Sequence, residues 1–164
     1  VAQRMIGVEV TAAATIVSIL ALCNAAGRVL CGFISDKIGS INTMTIALVL
    51  AVIGLGLIYM SGYGAAAPSK SVFILGICLV GFCFGAYMGV FPGFTAGQFG
   101  MKNNSLNYGV MFIAFSVAGV LGPMIMANCY NASESYSTPI MIALALAVVG
   151  FALTFVYRAM SKKK

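Results

Sequence analysis

Residues 41–60 read INTMTIALVLAVIGLGLIYM, a run without a single charged side chain. A helix that crosses the hydrocarbon core of a bilayer needs about 20 apolar residues, at about 1.5 Å of rise each. Four further stretches are long and apolar enough to cross as well, at residues 10–34, 72–95, 105–129 and 139–157. None alternates apolar and polar residues as the strands of a membrane barrel do. The sequence therefore predicts an all-α integral membrane protein with five transmembrane helices.

The composition of the whole chain argues against several classes of function. The 164 residues are 62% hydrophobic and 7% charged, whereas an ordinary soluble domain has about 25% charged residues. There is no His and there are only three acids, so most hydrolytic and metal chemistries lack their usual residues. We expect no metal, no cofactor and no enzymatic activity. Five cysteines lie in or at the end of apolar runs without metal-ligand spacing, and we interpret them as free, structural residues.

The positive charges predict the orientation of the helices. Seven of the nine cations fall on one side if the 35–40 loop is cytoplasmic, and two, Arg4 and Lys70, fall on the other. This is the positive-inside pattern, and it predicts a cytoplasmic C-terminus. The cations cluster at the ends of apolar segments, which fits a protein of the plasma (inner) membrane whose partner is the lipid bilayer. We do not expect nucleic acid as a partner.

A glycine- and charge-containing loop follows the first apolar stretch, where residues 32–39 read GFISDKIG. Asp36 can cap the next helix or meet cations on a neighbouring helix, Gly39 allows a tight turn, and Gly32 allows close helix approach. With Lys37 beside the acid, this Gly-x-x-x-Asp-(Arg/Lys)-x-Gly pattern resembles the signature loop of the major facilitator superfamily. The alternative is an ordinary polar loop between two spans.

The resemblance implies a position within a longer protein. In that superfamily the loop lies between spans two and three and recurs between spans eight and nine of two repeated six-helix halves. Four spans follow the first one here, so the chain resembles spans eight to twelve. We expect span seven and the N-terminal half, which would be the chain's partner in transport, to lie outside residues 1–164.

A polar stripe follows one face of the first stretch. Arg28 lies about two turns before Asp36, and Asn24 and Ser35 share its face. A cation at this depth is a candidate functional group by default, and a planar guanidinium matches a carboxylate. The alternatives are an Arg that reaches the cytoplasmic headgroups or one that pairs with a helix of the missing half. Tyr87 and Tyr108 are further candidates for the substrate path, because hydroxyl-bearing rings often line polar cavities.

Three further segments narrow the resemblance: FPGFT at residues 91–95, FGMKN at 99–103 and NYG at 107–109. With residues 24–39 they resemble the oxalate/formate antiporter family, and the likeness covers nearly the whole chain. It implies a Phe-Pro turn, and it implies that Arg28 corresponds to a family arginine thought to face the carboxylate. The family's oxalate carriers have a lysine immediately before Asn-Tyr-Gly, where this sequence has Leu106.

The missing lysine bears on the substrate. A dianion such as oxalate would want two cations, so Leu106 favours formate or lactate unless the missing half supplies a second cation. The predicted function is secondary active transport of a small carboxylate by alternating access, in exchange mode. Proton-coupled symport stays open as an alternative, although the acids Glu9 and Asp36 lie near span ends. A five-span scaffold or subunit without transport activity is the second alternative.

Small residues at helical spacing predict close helix packing or a kink. They are Gly81, Gly85 and Gly89 in the third stretch, and Gly119, Gly122 and Pro123 in the fourth.

Overall fold

The computed structural model describes residues 9–63 and 69–161. Those residues form five helices and no β-strand: α1 Val10–Ile38, α2 Ser40–Tyr63, α3 Lys70–Phe99, α4 Asn104–Ser133 and α5 Ser137–Ser161. At about 1.5 Å per residue, every helix exceeds the roughly 30 Å of a hydrocarbon core. All five are long and apolar enough to cross a membrane, so the predicted fold class is confirmed.

Helix α3 lies at the centre of the bundle, with extensive contacts to α1 and α2. One core cluster joins these three helices through Cys31, Met44, Ala47, Ala86 and Val90. Helix α5 packs mainly on α2, and α4 contacts α3 and α5 much less closely. The centre of the bundle is therefore the α1–α3–α2 layer, and α4 lies at its edge.

The exterior of the bundle is apolar. Many large hydrophobic side chains are exposed, among them Leu22, Val29, Met101, Leu106 and Leu146. No residue of α4 whose burial is described is buried, whereas α1, α2, α3 and α5 each carry at least two buried positions along the described chain. Such a surface is costly in water and suits contact with lipid tails or with further helices.

The helices end where the sequence offers glycine or a strained backbone. Gly39 ends α1 with φ of 87°, and Gly100 ends α3 with φ of 80°. A left-handed φ costs a glycine nothing because it has no Cβ. Glu134 ends α4 with φ of 50°, and it is a non-glycine residue with a positive φ.

The expected Phe-Pro turn at residues 91–92 is wrong. Helix α3 continues through Pro92 and ends at Phe99. Proline has no N–H to bond the carbonyl of Met88 one turn earlier, yet membrane helices accept proline where neighbouring helices pack around it. Phe91 and Phe94 pack against the core cluster on either side of Pro92, and this packing favours the continued helix.

Candidate functional site

Two of the predicted substrate-binding residues on α1, Asn24 and Arg28, contact each other in the structure. Nε–H of Arg28 donates a hydrogen bond of 3.0 Å to Oδ1 of Asn24. Residues four apart share a helix face, and this spacing brings the two side chains together. Asn24 is half-buried and Arg28 is exposed. Arg28 precedes Ile38, the last residue of α1, by 38 − 28 = 10 positions, which places it about 15 Å from that helix end. Arg28 therefore lies within the part of α1 that is long and apolar enough to cross a membrane.

Most of the hydrogen-bonding groups that remain on this pair are donors. Arg28 has four more N–H groups on its Nη atoms, and Asn24 has two on Nδ2, whereas Oδ1 of Asn24 already accepts one bond from Arg28. No group between residues 9 and 63 or between 69 and 161 accepts a hydrogen bond from those N–H groups. A cation surrounded by donors in a low-dielectric region suits an anion, and a carboxylate accepts such bonds on both oxygens.

Glycines fix the position of this pair relative to α3. A Cβ on Gly85 would collide with the backbone carbonyl of Asn24, and one on Gly89 with the carbonyl of Arg28. A Cβ on Gly81 would collide with Leu20, and one on Gly27 with the carbonyl of Phe82. The missing side chains let α1 and α3 approach with their backbones nearly in contact. Close packing at Gly81 to Gly89 therefore lies directly behind the candidate site.

The glycines of α4 are not packed against a neighbouring helix as those of α3 are. A Cβ on Gly119 or Gly122 would meet no atom within 4 Å among the described residues beyond its own neighbours. Gly122 and Pro123 border an apolar cavity of about 390 Å³ between α4 and α5, and α4 stays helical through Pro123. The described helices thus give these residues no packing partner, and their packing role stays a prediction.

Tyr87 is not brought to the pair. Its hydroxyl donates a hydrogen bond of 3.4 Å to the carbonyl of Met44 on α2. Tyr87 lies two residues from both Gly85 and Gly89, so it is about 200° around α3 from the face that contacts α1. Tyr87 is a candidate from the sequence because of its hydroxyl. The rotation of α3 about its own axis turns that hydroxyl toward α2.

Tyr108 lies beside a different space. It borders an apolar cavity of about 360 Å³ between α3 and α4. Its ring is 5.4 Å from that of Phe112, centroid to centroid. Leu106 is 70% exposed and does not line this cavity, because two residues of helix turn it to the opposite side of α4 from Tyr108.

The loop between α1 and α2 is closed by serines and glycine. The N–H of Gly39 bonds to the carbonyl of Ser35 at 2.9 Å, and the hydroxyls of Ser35 and Ser40 lie 3.1 Å apart. Asp36 is exposed and makes no hydrogen bond or ion pair with another described residue, so its expected capping bond to α2 is not formed. Serine hydroxyls occupy the start of α2 instead.

The remaining two loop residues have simple surroundings. The Nζ of exposed Lys37 lies 5.8 Å from the centroid of the Phe33 ring. A Cβ on Gly32 would just reach the carbonyl of Gly89, at 4.0 Å. Gly32 therefore continues the close approach of α1 and α3 toward the loop.

A second polar cluster was not found from the sequence. Arg158 of α5 donates from Nη2 to Oδ1 of Asn42 at 2.6 Å and to Oγ1 of Thr45 at 3.2 Å, both on α2. Its Nε is buried without a partner among the described residues. From the sequence, Arg158 is predicted only as one of the seven cytoplasmic cations. The sequence feature that could have revealed this cluster is the pair Asn42 and Thr45. These two polar residues are three positions apart on one face of an otherwise apolar helix.

The cysteines form no disulfide along the described chain. Residues 9–63 and 69–161 also contain no group of three or more His, Cys, Asp or Glu side chains that could hold a metal ion.

The described helices are long and apolar enough to cross a membrane, and α1 carries the Arg28–Asn24 pair within its span. The family model of the Major Facilitator Superfamily matches residues 2–164, so the chain belongs to that superfamily of transporters. No solved structure matches the chain.

Three curated relatives are similar to most of the chain. The uncharacterized MFS-type transporter YhjX of Escherichia coli K12 is 32% identical over 121 residues, 73% of this chain and 29% of YhjX. An MFS-type transporter of Gibberella moniliformis is 30% identical over 132 residues, 80% of this chain and 31% of that protein. The oxalate:formate antiporter of Oxalobacter formigenes is 29% identical over 148 residues, 89% of this chain and 34% of the antiporter. The chain thus spans about a third of the length of these relatives.

Proposed function

We propose that this chain is the C-terminal part, spans eight to twelve, of a transporter that exchanges small carboxylates across the plasma membrane. The observation that carries the proposal is the Arg28–Asn24 pair, which presents a guanidinium and amide N–H donors within the apolar span of α1. The similarity to an oxalate:formate antiporter, although only 29% identical, supports the same substrate class. The placement in the C-terminal half rests on the loop at residues 32–39 and the four helices after it.

Binding in this proposal needs no covalent chemistry. The Nη atoms of Arg28 take the two oxygens of a carboxylate in a bidentate pair, and Nδ2 of Asn24 adds a further donor. Asn24 also orients the guanidinium by accepting the Nε–H bond, so less side-chain freedom is lost when the anion binds.

Alternating access then moves the site from one side to the other. The two halves of the complete protein would rock around a midplane site, and the loop with Gly32, Asp36, Lys37 and Gly39 lies at the cytoplasmic end of that movement. With the C-terminus also cytoplasmic, the ends of α1, α3 and α5 share that side. The half that precedes span eight is the partner that completes the cavity.

Exchange is favoured over uniport by the charge of the site. Without an anion, Arg28 is a cation within an apolar span, with no counter-charge among residues 9–63 and 69–161. An uncompensated charge there is costly, so the empty protein should change sides slowly and the loaded protein quickly. The chain's three acids, Glu9, Asp36 and Glu134, lie at or beyond helix ends, so none offers a proton relay within these spans.

The test uses the full-length protein in proteoliposomes. Uptake of radiolabelled formate, lactate and oxalate is measured with liposomes that are empty or preloaded with the same unlabelled acid, and with or without a pH gradient. We expect uptake into preloaded liposomes and little into empty ones, with no effect of the gradient. Gradient-driven uptake into empty liposomes would establish symport instead. Absence of uptake of every acid under all conditions would contradict carboxylate transport.

A further inference from the structure

The cavity between α3 and α4 has the size and walls of a small-molecule site. Its volume of about 360 Å³ lies in the lower part of the range for ligand pockets, about 300–1,000 Å³. Met88 and Phe91 of α3 form one wall, and Tyr108, Phe112 and Phe115 of α4 form the other. We call this space the tail site.

Ring and sulfur contacts hold the walls of the tail site in place. The ring of Phe112 lies 4.8 Å from Phe115 and 5.4 Å from Tyr108, centroid to centroid. The hydroxyl of Thr95, which is fully buried, donates to the sulfur of Met111 at 2.9 Å. A wall that is already ordered costs a ligand less ordering entropy when it binds.

The tail site lies at the depth of Arg28. Gly89 lies against the backbone carbonyl of Arg28, and Gly85 lies against that of Asn24. Met88 is one residue before Gly89 and three residues after Gly85. Met88 is therefore about 60–100° around α3 from the face that contacts α1. It stands at the boundary between that face and the face turned to α4.

Arg28 points to the same side. Helices α1 and α3 are parallel, because Gly81, Gly85 and Gly89 meet α1 residues of rising number. When α1 and α3 are viewed along their axes from the N-terminal ends, three faces of α3 come in clockwise order. They are the faces that contact α4, α1 and α2. Arg28 lies clockwise of the buried Gly27 on α1, which turns it toward the α4 side of α3. The charged pair and the tail site thus border one region of the bundle.

We propose that the tail site binds the apolar substituent of a monocarboxylate whose carboxylate is held by Arg28 and Asn24. The inference rests on the proposed function and specifies its substrate class: short-chain aliphatic monocarboxylates longer than formate. A second carboxylate, as in oxalate, would lose its hydration against apolar walls without a matching cation there. Formate would leave most of the space unfilled, since about 360 Å³ equals the share of roughly twelve liquid water molecules.

The experiment measures chain-length dependence with the full-length protein in proteoliposomes. Unlabelled formate, acetate, propionate, butyrate and oxalate compete with the exchange of radiolabelled butyrate. We expect the half-inhibiting concentration to fall about threefold to fourfold for each methylene added from acetate to butyrate. Oxalate should be the weakest competitor of the series.

A variant pair assigns the effect to the cavity. Ala114 also borders the tail site, and Ala114→Phe fills part of it, so the preference for butyrate over acetate should fall about tenfold. Ala145→Phe adds the same ring on the exposed face of α5 and should keep the wild-type preference within about twofold. Size-exclusion chromatography checks that each variant is folded, and the wild-type series decides the question if Ala114→Phe is not.

The outcomes separate the two proposals. Exchange of all the acids with equal affinity, or an unchanged preference in folded Ala114→Phe, would overturn the tail site and leave carboxylate exchange standing. Failure of the wild-type protein to exchange any carboxylate would overturn the proposed function and the tail site with it.

Discussion

Asn24 and Arg28 are joined by a hydrogen bond of 3.0 Å from Nε–H to Oδ1, and this bond occupies one of the two lone pairs of that oxygen. The groups that remain on the pair are mostly N–H donors, and the guanidinium carries a positive charge. A site of this kind favours anions over cations, whichever transport mode the complete protein uses.

Replacing the amide of Asn24 by a carboxylate tests the anion-binding arrangement. Asn24→Asp places a carboxylate beside Arg28, which should form an intramolecular ion pair and compete with the substrate. We expect at least about a tenfold loss of exchange affinity, whereas Asn24→Ala removes the amide donors and the acceptor of the Arg28 bond without adding a charge and should cost less, about two- to tenfold. Competition assays in proteoliposomes measure both. Asn103→Asp, in the exposed loop before α4, is the control, and equal effects of the two Asp variants would contradict the pairing.

Close packing of α1 on α3 predicts that Gly85 cannot accept a side chain. The Cβ of Gly85→Ala would meet the backbone of Asn24, so two helices must separate, at a cost of about 1–3 kcal/mol. Gly97→Ala is the matched control on the same helix, because a Cβ there meets nothing within 4 Å among the described residues and alanine favours a helix. Thermal unfolding in detergent should separate the two variants. A Gly85→Ala protein as stable as wild type would refute the close approach.

The Arg158 cluster predicts a stabilising link between α5 and α2. Arg158→Met should lose the bonds to Asn42 and Thr45 and lower the free energy of unfolding by about 1–3 kcal/mol. A double-mutant cycle with Asn42→Ala should give a coupling energy of about 0.5–3 kcal/mol. Lys102→Met, at an exposed position in the loop before α4, controls for the loss of a charge. Strict additivity of Arg158→Met and Asn42→Ala would show that the contact contributes nothing.

Substitutions of Tyr87 and Tyr108 should have different effects on substrate affinity. Tyr87→Phe removes only a 3.4 Å bond to a carbonyl on α2, so substrate affinity should stay within about twofold of wild type. Tyr108→Ala removes a ring that borders the cavity between α3 and α4 and should weaken binding of longer acids. Inhibition by butyrate reports both variants. A large affinity loss in Tyr87→Phe would place that hydroxyl on the substrate path after all.

The fold was largely predictable because each helix is encoded by an uninterrupted apolar run, such as residues 41–60. Lipid exposure relaxes the usual rule that apolar residues mark one inner face, so the runs predict helices but not their rotation. This is why the orientation of Tyr87 toward α2 could not be deduced. The helix through Pro92 depends on the packing of Phe91 and Phe94, which the local sequence does not contain.

The candidate site was also predictable only in part. Arg28 and Asn24 share a helix face because they are four residues apart, and local geometry was enough to predict that shared face. The Arg158–Asn42 contact joins residues 116 positions apart and depends on how α5 lies against α2. The tail site likewise needs two helices in register. Short-range spacing is visible in a single sequence, whereas contacts between distant helices are not.

The most direct test of the central claim is carboxylate exchange by Arg28 variants of the full-length protein. Arg28→Gln keeps the bulk and hydrogen bonding of the side chain but removes its charge, and Arg28→Lys keeps the charge but loses the planar fork. With insertion and folding verified, we predict that exchange is lost in Arg28→Gln, is reduced in Arg28→Lys, and is unchanged in the exposed control Lys102→Gln. Exchange at the wild-type rate and affinity in Arg28→Gln would contradict the account.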